Sequence, residues 1–115
     1  MSTPDEAASL FVYGSLLDEA HRDEIIGRRV ETLAATLHDY ERARGKHYFI
    51  CPRTGSSTDG LLLLDLNERD FATLDEYEEI PTLYTREKII VAIDGSASVR
   101  CWVYLPTPAT LTMAR

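Results

Sequence analysis

Few residue pairs narrow the possible folds as much as Asp94-Gly95 does here. It separates two apolar runs, Tyr84 to Ile93 and Val99 to Leu105. In the first, Ile89, Val91 and Ile93 fall on one side and Lys88, Ile90 and Ala92 on the other. Asp-Gly suits a two-residue turn whose twist matches the flanking strands. The pair therefore predicts an antiparallel hairpin late in the chain. A late hairpin disfavours a doubly wound parallel sheet, in which helices connect the strands.

The rest of the chain fits that frame. Leu10 to Tyr13 is a compact apolar run stopped by Gly14, as in a buried strand. Residues 17–27 read as a helix with an uneven apolar face (Leu17, Ala20, Ile25, Ile26) and a stop at Gly27. Val30 to Leu37 reads as a strand, and Tyr40 to Ile50 as extended chain broken at Gly45. Pro52-Arg53-Thr54-Gly55-Ser56-Ser57 has the composition of a loop, and Leu61 to Leu66 that of a strong strand. Asn67, with Asp70 three residues on, predicts a capped helix N-terminus. That helix should reach Glu78 or Glu79, before Pro81. Pro106 and Pro108 are expected to end regular structure, and residues 1–8 to form a frayed leader. Strands outnumber helices. The expected class is α+β, a mixed, partly closed β-barrel flanked by short helices, in one domain spanning 1–115.

Composition excludes several functions. The net charge is −7, from 12 basic and 19 acidic residues. Nucleic acid needs basic surface to neutralise phosphates, and anionic lipid needs it for docking. No nucleic-acid or membrane partner is therefore expected. Leu61 to Leu64 is the longest apolar stretch and is far too short to span a bilayer. The acidic start, Met1 to Glu6, lacks the apolar centre of a secretory signal. Cys51 and Cys101 form no Cys-x-x-Cys pair and are expected to be free thiols in a reducing cytoplasm. His21, His38 and His47 show no metal-ligand spacing, and neither Walker nor dinucleotide glycine patterns occur.

Two segments can carry chemistry. On the second helix, with Phe71 taken as zero, Leu74 falls near about −60° and Glu78 near about −20°. Glu78 thus points with the core residues, while Glu76 faces solvent and Asp75 and Glu79 sit at the edges. An inward carboxyl loses hydration, which raises its pKa and suits a group that takes and returns a proton near neutral pH. The alternative is an edge glutamate paired with Arg86 or capped by backbone. In Tyr13-Gly14-Ser15-Leu16, glycine allows close approach and the amides of the following turn can face an anion. Alternatively, Ser15 only caps the helix. No Gly-x-Ser-x-Gly elbow surrounds it, so it does not read as a nucleophile.

Five segments in order resemble the gamma-glutamylcyclotransferase-like family, including its AIG2-like branch. They are Phe11-Val12-Tyr13-Gly14-Ser15-Leu16, Gly60 to Leu64, Leu74-Asp75-Glu76-Tyr77-Glu78, Tyr84-Thr85-Arg86 and Val103-Tyr104. The resemblance implies a small gamma-glutamyl substrate, cyclised to 5-oxoproline with release of the attached amine. It implies Glu78 as general acid and base, and the backbone of Gly14, Ser15 and Leu16 as holder of the glutamyl carboxylate or oxyanion. Tyr13 would shape the pocket floor and Tyr84 would position the substrate. The chemistry requires no metal or cofactor. The sequence departs at Glu79, where the family often has glycine. That departure favours the alternative of a non-catalytic module of the same fold holding a small metabolite or a partner. The leaving group and the oligomeric state have no signature in the sequence.

Overall fold

The computed structural model describes residues 6–44, 48–93 and 97–113. Five strands form a closed barrel in the order β1-β3-β2-β4-β5. They are β1 (Leu10–Val12), β2 (Thr32–Arg44), β3 (Tyr48–Leu63), β4 (Tyr84–Ile93) and β5 (Ala97–Pro106). Neighbours are antiparallel except β1 and β5, whose parallel pairing closes the ring (Leu10 opposite Trp102, Phe11 opposite Val103). Three helices flank it: α1 (Glu19–Ile26), α2 (Glu68–Tyr77) and α3 (Pro108–Met113). The α+β barrel expected from the sequence is thus observed, and closure is complete.

Closure explains why β1 is apolar on both faces. Phe11 and Tyr13 join the barrel interior with Leu37, Ile50, Leu62 and Val103. Leu10 and Val12 face outward, yet they are covered by a second cluster that includes Leu16, Phe71, Leu74 and Tyr104. Alternate residues therefore enter two different cores, and both need apolar side chains. On β4 the expected alternation holds: Val91 is buried and Ile90 is exposed.

Helix starts follow their caps. Asn67 and Asp70 form a reciprocal capping box at α2, with Asp70 N donating to Asn67 Oδ1 at 2.8 Å and Asn67 N to Asp70 Oδ2 at 3.0 Å. Arg28 also pairs with Asp70. Burial opposes that carboxylate's charge, but Arg28 and the Asn67 amide outweigh it and hold its pKa below the ordinary value. Gly27 ends α1 in the left-handed conformation, φ 87°.

Five expectations are corrected. The helix expected at 17–27 is a 3-10 turn, Ser15–Leu17, followed by α1, and Asp18 is the cap, accepting from the His21 amide at 2.8 Å. Segment 52–57 is no free loop, because β3 runs through it. His38 pairs with Ser57 and Tyr40 with Pro52, so Asp39 alone faces residues 53–56. The turn residues there build a bulge rather than a reversal: Gly55 takes φ 87° and donates to Asp39 Oδ1 at 3.1 Å. The strand expected at 61–66 stops at Leu63, and Leu66 N bonds to Ala8 O instead. Pro106 still belongs to β5, and Pro108 starts α3, where a missing N–H costs nothing. Residues 6–8 form a 3-10 turn. The rest of the expected leader (1–5), the break at Gly45 and the Asp94-Gly95 turn lie outside the described residues.

Candidate functional site

The site is built where β1 runs into the 3-10 turn and where α2 ends. Leu17 N donates to Gly14 O at 3.0 Å and is the first amide of the turn to find a partner within it. The amides of Ser15 and Leu16 precede that bond, so the turn itself does not satisfy them. The Leu16 side chain is buried in the outer core and anchors the turn. Arg22 Nη1 donates to Leu16 O at 3.1 Å, and Arg42 Nη1 to Tyr13 O at 3.0 Å. Ser15 does not cap a helix through its side chain. Its Oγ lies 2.9 Å from the Tyr77 hydroxyl, which ties the turn to the last residue of α2.

Glu78 follows Tyr77 at the C-cap with near-helical angles, φ −82° and ψ 0°. The helical angle that aimed it inward therefore survives to that position. It is partly buried, and loss of hydration pushes its carboxyl up to about 7. Arg86 does not pair with it, which corrects the alternative in which those two residues form an ion pair. Arg86 binds Asp75 instead, with Nε 3.0 Å from Oδ1 and Nη2 3.2 Å from Oδ2. Its guanidinium is held between the rings of Phe71 and Trp102, 4.6 and 4.5 Å from their centroids. Tyr104 also donates to Asp75 Oδ1, at 2.7 Å, and Tyr13 donates to Tyr104 O at 2.6 Å.

The structure brings three phenols within electrostatic reach of Glu78. Burial pushes Tyr84 up to about 12, and Glu78 and Tyr77 add to the effect. Burial also raises Tyr13, with Tyr84 and Glu78 contributing. Tyr104 is raised by burial and by its bond to Asp75, with a further push from Glu78. Of the expected site residues, Tyr13, Glu78 and Tyr84 are thus electrostatically coupled, while Ser15, between Gly14 and Leu16, reaches Tyr77, the residue before Glu78. Asp75, Tyr77, Tyr104 and His21 are additions. Asp75 and Tyr77 stand within the Leu74–Glu78 segment and Tyr104 within Val103-Tyr104, whereas His21 had only its nearness to the first turn. A cavity of about 640 Å³, lined by Glu19, Arg22, Arg29, Val30, Leu33 and Leu64 among others, lies apart from Glu78. Among the described residues no group of three or more His, Cys, Asp or Glu side chains could hold a metal ion.

Glu79 adopts φ 55°. Its amide donates to Glu76 O at 3.1 Å and the Ile80 amide to Asp75 O at 3.0 Å, the two bonds of a Schellman helix end. A left-handed conformation at that position is one that glycine adopts without the steric cost a side chain brings. Glu79 itself is exposed, and burial alone accounts for the shift at Glu78. Glu79→Gly is expected to stabilise the protein by about 0.5–1 kcal/mol, as relief of the left-handed cost outweighs the added chain entropy. Urea denaturation of the two proteins at one pH measures this.

Solved structures share this architecture. One described as gamma-glutamyl cyclotransferase superposes with TM-score 0.78 at 21% identity, over 87% of this chain and 66% of that one. A solution structure from Arabidopsis thaliana gives 0.78 at 22%, over 89% and 70%. An AIG2-like protein from Mus musculus gives 0.67 at 21%, over 92% and 83%. The barrel fold is therefore the one found in structures described as gamma-glutamyl cyclotransferase and AIG2-like protein. The family model of that description matches residues 10–114, and the chain belongs to this family. Among curated proteins, AIG2-like protein D of Arabidopsis thaliana is 32% identical over 92 residues, 77% of this chain and 59% of its own length. A Methanocaldococcus jannaschii protein, named a gamma-glutamylcyclotransferase and provisionally an RNase, is 26% identical over 100 residues, 84% of this chain and 45% of its own. The chain thus spans about half the length of the curated relatives it matches. Among the described residues no helix is long and apolar enough to cross a membrane.

Proposed function

We propose that the protein cyclises a gamma-glutamyl group to 5-oxoproline and releases the attached amine or amino acid. The observation that carries this reading is the Glu78 carboxyl, pushed to about 7 by burial and without Arg86 as a counter-charge. Such a group is about half ionised at neutral pH and can both accept and donate a proton.

In this reading Glu78 takes a proton from the substrate's alpha-ammonium. The freed amine attacks its own gamma-carbonyl carbon, and the carbonyl oxygen becomes an oxyanion. The bond to the leaving nitrogen then breaks as Glu78 returns that proton to it, and the ring nitrogen's excess proton passes by way of Glu78 to the released amine, which departs as ammonium. No water is consumed. The ring closure is intramolecular, so the protein's work is positioning and one proton shuttle. The amides of Gly14, Ser15 and Leu16 hold the glutamyl carboxylate or the oxyanion. Tyr13 forms the floor and Tyr84 positions the substrate. Both phenols stay protonated at neutral pH, since burial raises them, and the Tyr13 proton is held by Tyr104 O, which fixes the floor in place.

The test is a panel of gamma-glutamyl amino acids and gamma-glutamyl amines, including gamma-glutamyl-lysine, incubated with the protein. 5-Oxoproline is detected by mass spectrometry. Product from at least one member, in step with its released amine, is the expected result. Thermal stabilisation by the panel with no product would instead mark a binding module.

A further inference from the structure

The Tyr77 hydroxyl stands between two polar side chains. Ser15 Oγ lies 2.9 Å from it and His21 Nε2 lies 2.8 Å from it. The three residues come from the 3-10 turn, from α2 and from α1. The rings of His21 and Tyr77 meet edge to face, with centroids 5.7 Å apart and planes at 64°, which fixes the imidazole against the phenol. Each hydroxyl carries a single proton, so the chain of bonds has a direction.

If His21 Nε2 lacks a proton, Tyr77 donates to it and Ser15 donates to Tyr77. Ser15 then turns only lone pairs toward a ligand. If Nε2 carries the proton, His21 donates to Tyr77, Tyr77 donates to Ser15, and the Ser15 proton is left over. Ser15 is exposed and follows Gly14 directly, so the leftover proton is available to an anion held by the turn. A carboxylate or oxyanion accepts only, and it is repelled by a hydroxyl that shows it lone pairs.

We infer that His21 and Tyr77 are positioning residues whose hydrogen bonds run from His21 to Tyr77 to Ser15, making the Ser15 hydroxyl a donor to the anionic group of the substrate. This rests on the reading in which the turn binds the glutamyl carboxylate or oxyanion. It adds a side-chain donor to the backbone amides, and it couples the turn to the residue directly before Glu78.

Two measurements test it together. The first is nitrogen-15 NMR of the His21 ring in the full chain at neutral pH, which needs no turnover. A protonated Nε2, whose signals shift in Tyr77→Phe, is expected. A ring protonated only at Nδ1 would overturn the inference, even if the protein forms no 5-oxoproline. The second compares His21→Gln, which can donate, with His21→Glu, which when ionised only accepts. KM for the best gamma-glutamyl substrate should stay within about threefold of wild type in the first. It should rise about tenfold or more in the second, with kcat changed less than about threefold in both. Repeating the pair in the Tyr77→Phe background removes the relay and keeps the charge difference. There the two KM values should converge to within about threefold. An unchanged Gln-to-Glu ratio in that background means that charge alone acts, and the relay is rejected while the cyclisation reading stands. Thermal melts of all variants confirm that each is folded.

Discussion

Glu78→Gln is expected to remove 5-oxoproline formation and, at pH 8, to make the protein more stable. Loss of a proton carrier costs about 10²–10⁴ in rate, and glutamine can neither take nor return a proton. The stability gain follows from the same carboxyl. Folded, Glu78 keeps its proton up to about pH 7; unfolded, it releases it near 4.5. Between those values the folded state binds more protons, so stability falls as pH rises through that window. A gap of that size corresponds to at most about 3 kcal/mol, and residual exposure of the side chain reduces it. Glutamine carries no charge to desolvate. The variant should therefore exceed wild type by about 1–3 kcal/mol at pH 8, or up to about 10 °C in melting temperature, and the difference should vanish near pH 4. Denaturation curves for both proteins at pH 4, 6 and 8 measure it. Activity lost with no pH-dependent gain would mean that Glu78 is already well solvated.

Gly60→Ala is expected to cost at least about 3 kcal/mol and to unfold much of the protein at 37 °C. A Cβ at Gly60 would lie 2.2 Å from Val12 O and 2.8 Å from the tip of the Phe11 ring. The closest obstacle is backbone, which cannot rotate away. β1 is only three residues long and is held on both sides, opposite Leu61–Leu63 of β3 and against β5. Displacing it would also carry away Tyr13 and Gly14, which follow it directly. Any folded fraction should thus show impaired substrate binding as well as lower stability. Gly27→Ala is the useful contrast. Its Cβ meets nothing within 4 Å, and only the left-handed φ of 87° is penalised. A loss of about 1 kcal/mol is expected there. Equal effects at the two glycines would contradict the close-packing account of β1. Urea denaturation distinguishes them.

Much of the architecture was legible because local and tertiary demands agree. β4 spans the residues its alternation marks, since one face meets the barrel interior and the other meets solvent. The α2 start is written in Asn67 and Asp70, whose bonds are local. The inward aim of Glu78 follows from helical geometry that persists through the C-cap. The failures have a common cause. Residues 52–57 carry turn chemistry, but whether such residues reverse the chain or bulge a strand depends on the partner strand, here Asp39 and its neighbours. Arg86 could have served Glu78 or Asp75. The choice is made by Phe71 and Trp102, distant in sequence, which clasp its guanidinium beside Asp75. The bonds of Tyr77 to Ser15 and His21 likewise span three separate elements, and no periodicity encodes them.

The central claim is that the carboxyl at the end of α2 is desolvated enough to hold its proton near neutrality. Carbon-13 NMR of the Glu78 side-chain carboxyl, followed from pH 3 to pH 9, tests it directly. A midpoint near 7 is predicted. A midpoint between about 4 and 5, the range of a solvated glutamate, would contradict it.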